Sequence, residues 1–223
     1  MEPLQPAMMT PECLRQATLV LAEQDPDLGG IVARHGIPPM WGREPGFAAL
    51  FHIILEQQVS QASALTLFRR VGADMGGVTP ERVRDQGVAG LRALGLTRQK
   101  AHYCDALARA VLDGILDLEA LQRAPDERGR QRLLALPGIG PWSVDVYYLM
   151  ALKRPDVWPQ GDLALAIALS SAKSLPVRPD RNAQLELAQA WAPWRSVAAR
   201  ILWMHYLAEQ GKYPLPATEP ASQ

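Results

Sequence analysis

Two glycines in the turn LPGIG, residues 136–140, carry the clearest chemical pattern of the chain. Apolar residues recur at helical spacing on both sides of this turn, which predicts two packed helices joined by a hairpin. A turn that opens a helix exposes backbone N–H groups at the positive end of the helix dipole, and such donors suit a phosphate group. Gly138 and Gly140 would allow a close approach, because a side chain there would interfere. We therefore predict that the hairpin binds a nucleic-acid backbone.

Asp162 is the residue beyond the hairpin that could do chemistry. It stands between a loop that contains Pro159 and Gly161 and an apolar helical stretch that begins at Leu163. A carboxylate in this position can accept a hydrogen bond from the first turn of the helix, a cap that contributes about 1 kcal/mol. A single carboxylate can also stabilise a cation and orient a water molecule. The spacing alone favours the cap, and the two roles can coexist.

The composition is that of a folded chain without a strong overall charge. The chain has 223 residues, 48% of them hydrophobic, and a formal net charge of zero. This length suffices for one substantial domain or two small lobes, and the hydrophobic fraction excludes wholesale disorder. A neutral chain must bind nucleic acid through a local basic face and the hairpin amides. The charge therefore argues against tight nonspecific binding.

The chain offers little to hold a cofactor or to enter a membrane. Cys13 and Cys104 are too few for a disulfide framework or a four-cysteine metal site, and they favour a reduced, cytoplasmic protein. The histidines are scattered, and Walker and dinucleotide motifs are absent from the sequence. No apolar run approaches a membrane span, and residues 1–6 do not resemble a signal peptide. We expect catalysis without an organic cofactor and no membrane partner.

Helical patterns cover nearly the whole chain and position these residues. Without a convincing strand or an internal repeat, the sequence predicts an all-α fold of about ten helices. The expected helix starts lie at Thr10-Pro11, Phe47, Ser60, Thr79-Pro80, Thr97 and Pro125-Asp126, and the expected ends near residues 57–59, Val71, Gly95 and Gly114. Residues 29–39 (GGIVARHGIPP) should break the helical pattern, and the tail after about residue 213 should be disordered.

Four blocks of the sequence, in this order, resemble one known family. They are residues 46–64 (GFAALFHIILEQQVSQASA), 91–101 (LRALGLTRQKA), 136–162 (from LPGIGPW to Asp162) and 191–207 (WAPWRSVAARILWMHYL). The chain resembles the helix-hairpin-helix-GPD superfamily of base-excision DNA glycosylases, and within it the AlkA-type 3-methyladenine DNA glycosylase II branch. The resemblance extends over about three quarters of the chain. The hairpin by itself is less specific, since it also occurs in ligases and polymerases.

The resemblance implies two helical lobes flanking an active-site cleft. Residues 46–154 would form the lobe that carries the helix-hairpin-helix, and residues 1–45 and 155–223 the second lobe. The implied activity is that of a monofunctional glycosylase that flips alkylated purines, such as 3-methyladenine or 7-methylguanine, out of double-stranded DNA and hydrolyses their glycosidic bond. A monomer suffices for such an enzyme. Frequent Ala, Arg and Pro favour a bacterial, nucleoid-associated protein in the cytoplasm.

The resemblance also assigns roles around the reacting base. Asp162 falls on the family's catalytic position, which reverses the preference for a simple cap. Trp142 would line the base pocket, and it stands where bifunctional members, which also cut the strand, carry a lysine, so the activity should leave an abasic site. Trp203 matches the tryptophan that stacks on the flipped base. Val146 and Leu163 replace two aromatic residues of the family pocket, which predicts a roomier pocket. Core packing is the alternative for the tryptophans, and it is the interpretation that we prefer for the remaining pair, Trp191 and Trp194.

Further positions match DNA contacts of the family. Gln57 and Gln58 lie at the break where members insert a side chain into the gap left by the extruded nucleotide, although an ordinary surface amide is equally consistent with the sequence. The hairpin residues Gly138, Ile139 and Gly140 would contact the DNA backbone. Ser143 would either cap its helix or touch a phosphate. The family hairpin can also hold Na⁺ or K⁺ weakly through backbone carbonyls, which by position are those of Leu134, Leu136 and Ile139.

Other classes of function stay open at this point. A helix-hairpin-helix module that binds DNA without catalysis would use Asp162 only as a cap. A glycosylase for oxidised or deaminated bases would need more polar contacts to a neutral base than the sequence offers. A protein-interaction scaffold would leave the glycine-rich hairpin unexplained. Arg195 could contact a phosphate, but an ion pair on the helix surface is the preferred interpretation.

Overall fold

The computed structural model describes residues 8–213, and all regular structure in this range is helical. Its helices are α1 (Pro11–Gln24), α2 (Pro26–His35), α3 (Phe47–Glu56), α4 (Gln61–Met75), α5 (Pro80–Ala93), α6 (Arg98–Leu112), α7 (Leu118–Arg123), α8 (Asp126–Leu134), α9 (Pro141–Met150), α10 (Leu163–Ala172), α11 (Arg181–Gln189) and α12 (Arg195–Glu209). The all-α prediction is confirmed, with twelve helices in residues 8–213 rather than about ten. None of these helices is both long and apolar enough to cross a bilayer. The tail that is expected to be disordered, and residues 1–6, which were not expected to form a signal peptide, lie outside the described residues.

Side-chain caps explain why most helices begin where the sequence predicts. The hydroxyls of Thr10, Ser60, Thr79 and Thr97 accept hydrogen bonds from backbone N–H groups three residues further on, at 3.1–3.4 Å. Helix α4 continues past the expected end at Val71 to Met75, and it ends at Gly76 in the left-handed conformation, with φ of 70°. These starts are local features, which is why single residue types predict them.

Helix α2 contradicts the expected break at residues 29–39. Asp25 caps it by accepting hydrogen bonds from the N–H groups of Asp27 (3.0 Å) and Leu28 (3.4 Å). Gly29, which argues against a helix by propensity, permits a close contact with α1, because a Cβ there would lie 2.5 Å from the carbonyl oxygen of Ala22. Packing against α1 therefore outweighs the low helix propensity of glycine.

The chain divides into two compact units. The first, called here the hairpin unit, is Gly42–Leu152 and holds α3 to α9. The second, called the terminal unit, joins the chain up to Trp41 with the chain from Lys153 onward and holds α1, α2 and α10 to α12. The resemblance predicts residues 46–154 for the first lobe, whereas the hairpin unit runs from Gly42 to Leu152. In the terminal unit α12 packs against α1, α2, α10 and α11, and in the hairpin unit α3 packs against α4, α6 and α9.

Helix α9 is deeply buried in the hairpin unit, with every residue from Ser143 to Met150 buried. Its Asp145 is 1% exposed and forms an ion pair with Arg130 of α8. The guanidinium of Arg130 also lies 5.1 Å from the ring centroid of Tyr148. This pair joins the two helices that flank the hairpin turn, and removing either partner would leave a poorly compensated charge.

His52 on α3 makes the stability of the hairpin unit dependent on pH. Its ring stacks on Phe68 at 4.4 Å between centroids, and burial together with the positive charge of Arg43 lowers its pKa to about 4. Glu56, one helical turn further along α3, has its Oε1 atom 3.8 Å from His52 Nε2. In the unfolded chain a histidine titrates near 6.5, so below that pH the unfolded state binds a proton that the folded state does not.

We expect folding stability to decrease as the pH falls from about 6.5 towards 4. One such proton gives a slope of at most about 1.4 kcal/mol per pH unit. Urea unfolding of wild type and His52→Gln at pH 7 and pH 5 tests this, and the variant should lose less stability between the two conditions. Equal losses in the two proteins would contradict the assignment to His52.

Candidate nucleic-acid interface and catalytic carboxylate

The hairpin turn lies between the end of α8 at Leu134 and the start of α9 at Pro141. Within the turn, the N–H of Ile139 donates to the carbonyl of Leu136 at 3.2 Å. Gly140 occupies the N-cap position of α9 with extended backbone angles (φ −95°, ψ 177°), and no side chain caps this helix. The first turn of α9 therefore presents its N–H groups as a helix terminus that suits an anion.

The two hairpin glycines lie in different surroundings. Gly138 has φ of +80°, and a Cβ there would overlap the ring of Tyr103 on α6. The protein itself thus demands glycine at this position. At Gly140 φ is ordinary, and a Cβ would meet nothing within 4 Å. Of the two glycines, only Gly140 is left open for a ligand. Ile139 is 4% exposed, so it could contact DNA only through its backbone.

Gln57 and Ser143 are bonded to each other and to the hairpin. The Nε2 atom of Gln57, half-buried at the end of α3, donates to the Gly138 carbonyl at 2.7 Å and to Ser143 Oγ at 3.0 Å. Ser143 is 2% exposed, and the N-cap position of α9 belongs to Gly140, so no cap by Ser143 is seen. Its hydroxyl accepts the hydrogen bond from Gln57, and contact of Ser143 with a phosphate stays a prediction.

Gln58, by contrast, is exposed and has a left-handed backbone, with φ of 59°. A non-glycine residue in this region is uncommon. The next residue, Val59, is 47% exposed. The segment therefore presents an amide and an apolar side chain to solvent between α3 and α4, and the role of Gln58 in DNA stays a prediction.

Asp162 caps α10 and also accepts a hydrogen bond from an indole. Its Oδ1 accepts from the N–H of Leu165 at 2.9 Å and from Nε1 of Trp203 at 3.3 Å. Trp203 lies on α12 and is 8% exposed, whereas Leu163, directly after Asp162, is 60% exposed. All three residues belong to the terminal unit. Two donors converge on one carboxylate oxygen, and this fixes the orientation of the carboxylate.

The remaining aromatic and apolar positions differ in burial. Trp142 is half-buried in the first turn of α9, and Val146 is 4% exposed in the core of the hairpin unit. Their assignment to a base pocket, like that of Leu163 and Trp203, stays a prediction. Trp191 is 1% exposed and donates its Nε1–H to Asp25 Oδ2 at 2.8 Å, which confirms its place in the core.

For cations the described residues provide carbonyl oxygens rather than side-chain ligands. Residues 8–213 contain no group of three or more His, Cys, Asp or Glu side chains that could hold a metal ion. Among the expected carbonyl ligands, that of Leu136 already accepts one hydrogen bond, from Ile139, and retains a second lone pair. A weak Na⁺ or K⁺ site formed with the carbonyls of Leu134 and Ile139 therefore stays a prediction.

Long-range contacts reveal supporting residues that spacing alone did not single out. Tyr103 packs on Gly138, and Lys100 donates from Nζ to the Leu55 carbonyl at 2.7 Å. Lys100 belongs to the block LRALGLTRQKA and Tyr103 lies two residues after it, so the presence of this block in the resemblance was the available indication. In the terminal unit Arg195 forms a bidentate ion pair with Asp156, at 2.6 and 2.7 Å, which confirms the preferred interpretation of that residue.

Arg200 is a buried cation that sequence reasoning did not identify. It is fully buried on α12, and its NH1 donates to the carbonyl of Trp41 at 2.5 Å. Burial lowers its pKa to about 10. A buried arginine does not interrupt the helical pattern of α12, so only the packing of α12 reveals it.

Comparisons with known proteins identify a family and relatives that this chain is similar to. The model of the HhH-GPD superfamily of base excision DNA repair proteins matches residues 51–193. The YfjP protein of Bacillus subtilis is 28% identical over 184 residues, which are 79% of this chain and 64% of that protein. DNA-3-methyladenine glycosylase 1 of Schizosaccharomyces pombe is 29% identical over 165 residues, 72% of each chain.

A solved structure is also similar. The 3-methyladenine DNA glycosylase Mag1 of the same yeast, in complex with abasic DNA, superposes with a TM-score of 0.79 at 26% identity, covering 84% of this chain and 95% of that one. The matched region contains both the hairpin and Asp162. The family model spans more than half of the chain. The chain therefore belongs to the HhH-GPD superfamily of base excision DNA repair proteins.

Proposed function

We propose that this protein is a monofunctional DNA glycosylase that flips alkylated purines, such as 3-methyladenine and 7-methylguanine, out of duplex DNA and hydrolyses their glycosidic bond. The observation that carries the proposal is the carboxylate of Asp162, held by two donors and paired with the indole of Trp203. The names of the S. pombe relative and of the similar solved structure support the class of substrate.

Asp162 would act on the sugar rather than on the base. An alkylated purine carries a positive charge, so it leaves with the bonding electron pair as a neutral base, and cationic character develops at C1′ of the deoxyribose. A carboxylate beside C1′ stabilises that charge and orients the water that adds to C1′ and then loses a proton. The products are the free base and an abasic site. Because Leu165 and Trp203 occupy Oδ1, the orientation of the carboxylate does not have to be arranged during the reaction.

Trp142 supports hydrolysis without strand cleavage. A Schiff base requires an amine nucleophile, and the residue two positions after Gly140 is a tryptophan. Helix α9 as a whole, PWSVDVYYLM, contains no lysine. The abasic strand should therefore stay intact until it is treated with alkali.

The hairpin would bind the DNA backbone through the N-terminus of α9. Gly140 leaves space for a phosphate and, having no side chain, does not itself cap the helix. With a formal net charge of zero, the chain offers few long-range electrostatic contacts, so binding should depend on this local contact and on recognition of the damaged nucleotide. We also propose a monomer that acts on nucleoid DNA in a bacterial cytoplasm.

A DNA-binding module without catalysis is the second candidate. It is favoured by the cap itself, because the 2.9 Å hydrogen bond from Leu165 would account for Asp162 without any reaction. The two candidates differ in what happens when the charge of Asp162 is removed but its capping ability is kept. Asparagine meets that condition, since it caps helices about as well as aspartate.

Asp162→Asn should abolish most base release and leave folding and DNA binding unchanged. We expect a decrease of at least about 100-fold, the scale of losing one electrostatic or acid–base contribution. The measurement is release of free methylpurine from methylated duplex DNA, with strand breaks scored before and after alkali. Wild type should release the base and yield breaks only after alkali.

Asp180→Asn is the matched control for that experiment. Asp180 caps α11 by accepting from Ala183 N–H at 2.9 Å, so the same chemical change is made at another capping aspartate. Its base release should equal that of wild type. Unchanged release by Asp162→Asn would contradict the catalytic assignment, and no release by wild type despite DNA binding would favour the non-catalytic module.

Alanine substitutions at the two hairpin glycines should separate folding from DNA binding. Gly138→Ala should lower the free energy of unfolding by about 1–3 kcal/mol or more, because of the positive φ and the overlap with Tyr103. Gly140→Ala should change it by less than about 1 kcal/mol, yet weaken binding to a duplex containing an abasic analogue. Urea unfolding and fluorescence anisotropy measure the two effects, and full DNA affinity in Gly140→Ala would argue against a phosphate at this turn.

A further inference from the structure

Gln57 links two segments of the hairpin unit that lie far apart in sequence. It follows the last residue of α3, and its side chain reaches the hairpin turn, 81 residues away, and Ser143, 86 residues away. The residue after it is the exposed Gln58, with φ of 59°. The two hydrogen bonds thus connect the segment that presents Gln58 to the turn that presents Gly140.

We propose that Gln57 is a positioning residue, which holds Gln58 at a fixed place relative to the hairpin so that gap filling and phosphate binding occur on the same duplex. This inference rests on the proposed function, because it concerns how the damaged nucleotide is extruded. It gives Gln57 a role other than the direct DNA contact expected from the resemblance. Gln57 does not touch the reacting atoms in this scheme.

The chemistry of the contact requires an amide. The carbonyl of Gly138 can only accept, so the NH₂ end of the Gln57 side chain must face it, and the second N–H is directed to Ser143 Oγ. Glutamate would face the same carbonyl without a proton to donate, and asparagine is shorter by one methylene group. Both N–H donors of the amide are therefore used inside the protein and are withdrawn from DNA.

Neighbouring contacts make this link stiff. Lys100 Nζ donates to the carbonyl of Leu55 at 2.7 Å and so satisfies the end of α3 just before Gln57. Ser60 caps α4 through Ser63 N–H at 3.2 Å and so holds the other end of the segment. On the hairpin side, Tyr103 packs on Gly138. Residues 57–60 are thus held at both ends, and Gln57 is the link from them to the hairpin.

A stiff link has a consequence for extrusion. The base leaves the stack only while its space is filled and its backbone is held, and misplacing one of these groups by about 1 Å can cost about 100-fold in rate. A looser Gln57 contact should therefore harm the reaction of a paired base, which must be extruded. It should harm far less the reaction of a base that lacks a partner, since less unpairing is then needed.

The test uses Gln57→Met, which keeps the length of the side chain and removes both donors. Two duplexes are compared, one with 7-methylguanine opposite cytosine and one with 7-methylguanine opposite a tetrahydrofuran abasic analogue. We expect kcat/KM to fall by about 10- to 100-fold on the paired duplex and by less than about 3-fold on the other. Gln16→Met, at an exposed glutamine of α1 that donates to Glu12 at 2.8 Å, is the matched control and should behave as wild type.

Epistasis with Gln58 separates positioning from a general structural role. In a Gln58→Ala background, where the gap-filling side chain is gone, Gln57→Met should cause little further loss on the paired duplex. Equal losses on both duplexes, or full additivity with Gln58→Ala, would overturn the proposal. If Gln57→Met folds poorly, as judged by thermal unfolding, Ser143→Ala removes only the second acceptor and should give a smaller loss with the same preference for the paired duplex.

The failure of this inference can be told from failure of the proposed function. If wild type releases no base from either duplex, the glycosylase proposal fails while the positioning role is tested by binding alone. Affinity for a duplex that contains the abasic analogue opposite cytosine should then be at least about 5-fold weaker for Gln57→Met than for Gln16→Met. Equal affinities would overturn the positioning role as well.

Discussion

The contact between the Tyr103 ring and the backbone of Gly138 is the constraint on which the hairpin unit depends. The ring occupies the space of a side chain at residue 138, and φ there is +80°, so both features restrict this position to glycine. The carbonyl of Gly138 is then available to Gln57, and Gly140 begins α9 without a side-chain cap. The contact of Tyr103 with Gly138 and the hydrogen bond from Gln57 thus both act on the turn that leads into α9. The buried ion pair of α8 and α9 reinforces the same geometry.

In the terminal unit, hydrogen bonds hold the carboxylate of Asp162 in place. A carboxylate that caps a helix is held in a fixed orientation, and stabilising a developing cation benefits from the same restraint, so the observed cap and the proposed catalytic role of Asp162 are compatible. The cap bond from Leu165 and the bond from the Trp203 indole hold one oxygen. Catalysis by a preorganised charge needs this kind of restraint, because a freely rotating carboxylate would have to be ordered during each reaction.

Local patterns predicted the fold class, most helix starts and the hairpin, since caps and turns involve residues only a few positions apart. They failed where distant contacts decided the outcome. Helix α2 forms through the packing of Gly29 on α1, against the propensity of its glycines. The bond between Ser143 and Gln57, 86 positions apart, could not be read from the local pattern either. Arg200 is fully buried, although the residues around it in the sequence show an ordinary helical pattern.

The sequence alone therefore determined the family, the all-α class and the identity of the candidate residues Gly140 and Asp162, because residue types and short spacings carry that information. Only the tertiary structure decided which polar side chains face inward and what each one bonds. Hydrogen bonds such as the one between Gln57 and Gly138 join residues 81 positions apart, and no local periodicity encodes the partner. The physical reason is that burial and bonding at this range depend on how helices pack, which is a property of the whole unit.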